Sequence, residues 1–261
     1  MNQFKCCICG NYNSGKLQVH RELLFCATCG SNARFRGLML GVMRHVLKDE
    51  SMPLFDQKER RDLVAIGVSD SETYAKHLAS KFSYTNTYYH TAPHLDLCDP
   101  ESVGRYSNID LIVCSDVIEH TFDKPRKVVR SIFRMLKPGG VAILSAPTYY
   151  LSETIEWYPH AKTVEVKEHL GKYEVHWTDI AGIARTNINP CFHGGPGSTL
   201  EMRLIAHQDL VQAGSDEGFH LETLEFSPEW GYSWPIVPQY PGIDAPMDGR
   251  VLILNKPSKA A

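Results

Sequence analysis

Residues 109–120 read Ile-Asp-Leu-Ile-Val-Cys-Ser-Asp-Val-Ile-Glu-His. Ile109–Cys114 is a short, almost unbroken apolar run, the pattern of a strand covered on both faces in a parallel sheet. A helical stretch follows from Asp123 to Leu136, with Val128, Val129, Ile132, Phe133 and Leu136 on one face. It stops at Lys137-Pro138-Gly139-Gly140, and Val141–Ser145 (VAILS) reads as the next strand. Ligands of such sheets bind beyond the carboxyl ends of the strands, so Ser115 and the residues after it are where chemistry is expected.

Upstream the same alternation holds. Asp62–Gly67 (DLVAIG) is an apolar run ending in glycine, a first buried strand. Ser69 stands three residues before Glu72, the spacing of a capping box, and Tyr74, Leu78 and Phe82 recur along the helix it would open. Thr85–His90 is rich in β-formers and His94–Leu97 holds a short third candidate. Strands alternating with helices imply an α/β fold whose sheet carries helices on both faces.

The first 29 residues hold five of the eight cysteines, Cys6, Cys7, Cys9, Cys26 and Cys29. Cys6-x2-Cys9 and Cys26-x2-Cys29, sixteen residues apart, pair two thiolates each and together close a tetrahedral S4 set suited to a structural Zn²⁺. Gly10 and Gly30 follow the pairs, where a zinc knuckle requires tolerance of positive φ. Cys7 is spare, or competes with Cys6 for one position; Cys98, Cys114 and Cys191 read as small buried hydrophobes. Phe35, Leu38, Met39, Val42, Met43, Val46 and Leu47 then trace one face of a helix. Arg34, Arg36, Arg44 and Lys48 lie off it, either as a contact for nucleic acid or anions, or as a solvated face of a helix tying the zinc module to the main body.

At 261 residues, 43% hydrophobic and 22% charged, the composition excludes a wholly disordered chain, a collagen and a coiled-coil rod. No apolar run approaches the roughly 18 residues of a membrane span. The opening MNQFKCCICG lacks a charged-then-apolar leader pattern, so a cytoplasmic protein is expected. Residues 1–46 carry six Lys/Arg against Glu22 alone, and with a net charge of −3 the remainder carries −8. A basic module precedes an acidic body.

The block Asp110–His120, followed by Leu136–Gly140 and a strand, resembles class I S-adenosylmethionine (SAM) dependent methyltransferases. With the two CxxC pairs and Phe-His-Gly-Gly-Pro-Gly-Ser-Thr-Leu-Glu-Met-Arg at 192–203, the chain resembles a subgroup of the type 11 kind associated with polysaccharide biosynthesis. The resemblance implies a Rossmann-like sheet with a zinc ribbon at 1–32, a connecting helix and linker at 33–58, and a methyltransferase domain at 59–261. It places Gly67, Val68 and Ser69 beside the methionyl part of SAM, Asp96 on the adenine, and Cys114, Ser115 and Asp116 around the methionyl group and methyl. Two departures stand out: Ala65-Ile-Gly67-Val-Ser69-Asp-Ser71 keeps one glycine of the usual three, and Tyr88-Tyr-His90-Thr lacks the acid that usually grips the ribose. Asp70 or His90 is the candidate replacement.

About sixty residues separate Ser145 from a helix near His207–Ala213, far beyond an ordinary connection. Within 148–205, Val164 and Val166, then Tyr173, Val175 and Trp177, alternate around Glu168–Lys172 as a β-hairpin, an inserted lid or an edge extension. Phe192–Ser198 is a Gly/Pro-rich loop, an anion-binding nest or a simple turn. Residues 227–249 hold five prolines with Trp230, Tyr232, Trp234 and Tyr240, a platform for a sugar ring or hydrophobic cover. His120 and His193 are the candidate bases, with Glu119 and Asp116 to orient them, although His120 also suits a helix cap. The expected activity is O-methylation of a sugar or glycan-related small molecule, using SAM, with zinc structural and no membrane partner. Two alternatives stand: a ribosomal or transfer RNA methyltransferase binding nucleic acid through residues 1–46, and a non-catalytic interaction protein on the same fold. Chelation is expected to unfold the zinc module and spare much of the α/β body.

Overall fold

The structure is a computed structural model that describes residues 2–15, 20–240 and 242–258. β1 (Asn2–Lys5) and β2 (Tyr12–Gly15) form an antiparallel pair, and α1 (Ala33–Val42) follows, widening in its last turn through Leu47. Then β3 (Arg60–Val68), α2 (Glu72–Lys81), β4 (Phe82–Thr87), α3 (Pro100–Gly104), β5 (Ile109–Ser115), α4 (Pro125–Met135) and β6 (Leu136–Ser145) alternate. The insert carries β7 (Thr148–Tyr149), β8 (Ile155–Glu156), β9 (Ala161–His169), β10 (Lys172–Asp179), β11 (Ala184–Asn187), β12 (Phe192–His193), β13 (Thr199–Leu200) and β14 (Arg203–Ala206). After it come α5 (His207–Asp216), β15 (His220–Thr223), β16 (Pro238–Tyr240), β17 (Ile243–Pro246) and β18 (Leu252–Asn255).

The central sheet has the order β15-β18-β6-β5-β3-β4. β3, β4, β5 and β6 run parallel, and β18 lies antiparallel between β6 and β15. This is the mixed α/β, Rossmann-like sheet that the sequence leads one to expect. Alternate residues of β5 explain why its run is apolar throughout. Leu111 and Val113 join the core under α1 and α2, while Ile112 and Cys114 join the core under α3, α4 and α5.

The first of these cores reaches into the N-terminal module. Phe4, Cys6, Cys7, Ile8 and Cys26 pack in one cluster with Leu111, Val113, Ile143 and Ile253 of the sheet. Tyr232 and Trp234 are buried in the same cluster, so this part of the 227–249 segment is hydrophobic cover.

Three local readings are corrected. Ser69 does not cap α2: its φ of 57° is left-handed, whereas Ser71 is extended and its Oγ accepts from Thr73 N at 3.3 Å. The second strand runs Phe82–Thr87 instead of Thr85–His90, because β3 ends at Val68, opposite Thr87, and leaves later residues unpaired with it. The third strand shrinks to one bridge between Tyr88 and His94. The hairpin is present as β9 and β10, turning at Leu170-Gly171, both at positive φ. No helix among the described residues is long and apolar enough to cross a membrane.

Candidate functional site

Two constellations carry chemistry. In the first, Cys6 Sγ lies 3.6 Å from Cys29 Sγ and Cys9 Sγ lies 3.6 Å from Cys26 Sγ. All four sulfurs fall within 4.8 Å of one another. Bonds of ~2.3 Å to a tetrahedral zinc separate sulfurs by about 3.8 Å, so the set permits zinc binding. Cys7 is not a competitor: its fully buried thiol points at Arg36 O, 3.3 Å away. Gly10 and Gly30 do adopt positive φ, 81° and 73°. Arg36, buried among these thiols, donates to the carbonyls of Gly231 and Leu24, fastening the module to the body.

The second lies at the carboxyl edge of the sheet. Asp116, at the end of β5, takes a φ of 53° and turns its carboxylate onto two arginines of the N-terminal module. Arg21 Nη2 is 2.5 Å from Asp116 Oδ2 and Arg34 Nε is 3.3 Å from it. Burial alone would raise Asp116, but the two guanidinium charges outweigh it and hold the carboxyl below the usual range. Arg34 also pairs with Glu22 and donates to Ser115 Oγ. Arg21, Arg34 and Arg36 are therefore buried, and Arg44 is paired with Glu50. Of the six basic residues in 1–46, four are taken up internally, and Lys16 lies outside the described residues.

The β3–α2 loop is packed inward. Asp70 accepts from Tyr74 Oη at 2.9 Å and from Tyr84 Oη at 2.8 Å, and is buried. Its carboxyl is thus taken up inside the protein by two tyrosines, an arrangement that does not suit the ribose contact expected of it. The same pair explains Gly67: a Cβ there would lie 2.1 Å from Tyr84 Oη and 2.3 Å from Asp70 Oδ2. Burial raises Asp70 to about 7 despite the two hydroxyl donors. The native state then binds more protons than the unfolded chain between about pH 4 and 7, so stability is lost as pH rises through that window. Asp70→Asn keeps the shape of the protonated acid. We expect it to remove a loss of about 2–3 kcal/mol between pH 5 and 8, read from urea midpoints at the two pH values; identical slopes in both proteins would refute this.

Beyond Asp116, the turn Ile118–His120 presents Glu119 and His120. Glu119 is fully buried and neither carboxylate oxygen has a hydrogen-bond partner. Burial, followed by the charge of Asp116, raises its carboxyl well above the ordinary value. His120 Nε2 stands 3.7 Å from Glu119 Oε1 and His193 Nδ1 stands 3.9 Å from the same oxygen. The stretch 192–203 is zipped onto this turn. Met202 N donates to Glu119 O at 2.8 Å, His120 Nδ1 donates to Leu200 O at 2.8 Å, and Arg203 Nη1 donates to Ile118 O and Thr121 O. Sequence reasoning found both histidines but missed Arg203, Arg21 and Arg34. A buried arginine has no local signature when its partner is about a hundred residues away.

The remaining candidates scatter. Cys114 is fully buried in the core below the edge and has no face to a ligand. His90 is exposed against Tyr89, outside the sheet. Ser69 is exposed on the loop, and Asp96 is half-buried with Oδ1 accepting from Cys98 N at 2.8 Å. Ser115 is held by Arg34 and Ser145. Arg21 carries the observation that bears on SAM: its Nε and Nη1 are buried without a hydrogen-bond partner, Nε lying 3.6 Å from Glu22 Oε1. Unpartnered guanidinium donors beside Asp116 suit a ligand that brings a carboxylate and an ammonium group, as the methionyl end of SAM does.

Residues 49–142 match the family model described as a methyltransferase domain. That stretch contains the β3 loop, Asp96 and the Asp116–His120 turn, so the enzyme class is that of a methyltransferase. No curated protein matches the sequence. Among solved structures, DesVI of Streptomyces venezuelae is 15% identical with a TM-score of 0.41, over 75% of this chain and 84% of that one. A SAM-dependent methyltransferase of Clostridium acetobutylicum is 12% identical, TM-score 0.43, over 86% and 92%. CalS10, an amino pentose methyltransferase of Micromonospora echinaspora, is 11% identical, TM-score 0.42, over 91% and 100%.

Proposed function

We propose that the protein methylates a hydroxyl of a small, sugar-like acceptor, with SAM as methyl donor and a structural zinc ion in the Cys6, Cys9, Cys26, Cys29 set. The observation that carries this reading is the cluster of buried Glu119 with half-buried His120 and His193, which β12 brings to the turn beyond Asp116. SAM, when bound, supplies an electrophilic methyl whose displacement leaves a neutral thioether. The chain's part is to hold both partners in line and to deal with the acceptor's proton, of which alignment contributes the larger share. Arg21 and Asp116 would hold the methionyl end, and the Glu119 cluster would receive the hydroxyl.

Beside that cluster the insert offers a surface suited to a ring with hydroxyls. Trp157 and Tyr240 stack with centroids 6.0 Å apart and planes at 28°, and Trp157 Nε1 is buried without a partner. Trp157 N donates to Met202 O, and Met202 N to Glu119 O, so this surface and the cluster share one backbone link. Tyr158, Val175 and Trp177 pack with Met202, which seats the β9–β10 hairpin over the same corner as a cover against water.

Calorimetric titration with SAM, and with its demethylated product, tests the reading. Saturable binding of both near micromolar, followed by methyl transfer to a hydroxylated sugar derivative in an acceptor screen, is the expected result. Failure of both ligands to bind would overturn it.

A further inference from the structure

The geometry points to a divalent-cation site formed by Glu119, His120 Nε2 and His193 Nδ1, in which a borderline transition-metal ion such as Mn²⁺, Co²⁺ or Zn²⁺ receives the acceptor's oxygens. The three donor atoms lie within 4.8 Å of one another. Their separations from Glu119 Oε1, 3.7 and 3.9 Å, are a few tenths of an ångström above the ~3.3 Å between donors that bind a tetrahedral ion at ~2.0–2.1 Å.

What lies between these donors calls for a cation. Leu200 O can only accept, so the hydrogen bond at 2.8 Å places the proton of His120 on Nδ1. In the neutral ring Nε2 then carries a lone pair, and it faces a carboxylate. Glu119 has no hydrogen-bond donor on either oxygen, although it is fully buried. A fully buried carboxyl without a hydrogen-bond donor is costly to ionise, and a cation held between it and the two imidazoles would offset that cost. Arg21, the nearby buried cation, places Nη2 on Asp116 and none of its nitrogens on Glu119.

The outer contacts also match a metal site. A ligating histidine typically donates its second ring N–H to a carbonyl or carboxylate, which fixes its tautomer, and Leu200 O does this for His120. His193 sits on β12 next to a glycine-rich turn and is half-exposed, so the open side of the site faces the approach of the acceptor. Two imidazoles and one carboxylate with vacant positions select transition metals over Mg²⁺ or Ca²⁺, which prefer all-oxygen sets. The site itself rests on geometry; its role in lowering the proton affinity of the acceptor hydroxyl rests on the methyltransferase reading above.

The test uses full-length protein whose zinc content is first measured at one ion per chain. Mn²⁺ is then titrated, with free Mn²⁺ counted by electron paramagnetic resonance. One further saturable ion per chain is expected. Glu119→Gln, which keeps the side-chain volume, and His193→Ala, at a half-exposed position, should each weaken binding beyond the 10–100-fold that loss of an outer partner costs. The zinc content of both variants should stay at one. Absence of saturable Mn²⁺ and Co²⁺ binding, or binding unchanged in both variants, overturns the proposal. SAM titration of the same preparations reads the methyltransferase assignment separately, since it needs no acceptor and no second metal.

Discussion

Stripping the zinc proposed for the cysteine set, by chelation or by Cys26→Ser, is expected to unfold the whole chain in one transition. The sequence suggested a detachable module, but the structure places Cys6, Cys7, Ile8 and Cys26 in the same apolar cluster as Leu111, Val113 and Ile143 of the sheet. A segment of about 30 residues with one short β-pair among its described residues is too small to hold its shape without a cross-link such as the proposed ion. Its collapse would expose the α1 face of the sheet and release Arg36 from Gly231 and Leu24. Apparent zinc-binding energies of about 10–16 kcal/mol rival the whole stability of a typical domain. The melting temperature should fall by more than about 15 °C, given ~2–4 °C per kcal/mol at this size. Metal analysis alongside circular dichroism reads the result. A body transition that stays in place after zinc loss would refute it.

Asp116→Ala should be nearly as damaging. Arg21 and Arg34 have side chains only 2% and 9% exposed, and both point at this carboxylate. Removing one partner of a buried pair typically costs about 3–5 kcal/mol, because the orphaned charge stays buried. Arg34 retains a 2.5 Å pair with Glu22 and Arg21 only a 3.6 Å approach to it, so Arg21 takes most of the loss. The urea midpoint should drop accordingly and SAM binding should vanish with it. Asp116→Leu combined with Arg21→Met should recover much of the stability and none of the binding, because an apolar pair can replace a buried ion pair. An unchanged midpoint in the single variant would sink the argument.

How much of this was legible depends on the range of the interactions involved. β5, α4, α5 and the β9–β10 hairpin were readable because period and turn chemistry are local. The CxxC pairs were readable because metal geometry is written into short spacings. The inward turn of Asp70 was not: it depends on Tyr84 of the next strand offering a hydroxyl where a ribose was expected. The reading of Arg34 and Arg36 as lying off the buried face failed for the same reason, since their partners Asp116 and Gly231 are remote in sequence. His120 and His193 were singled out separately, and only the fold brings their rings to a centroid distance of 5.4 Å.

The zip of residues 192–203 onto the turn at 118–121 has a bearing on how such a protein diversifies. His193, the carbonyl that orients His120 and the Trp157 surface all ride on the insert, whereas Asp116 and Glu119 belong to the sheet. On the proposed function, exchanging that one segment between descendants of a common ancestor would swap acceptor preference and half of the proposed reactive cluster in a single genetic event. New substrates would then arrive with their own chemistry attached, and drift in the insert alone would abolish the proposed methyl transfer while sparing the Arg21–Asp116 pair.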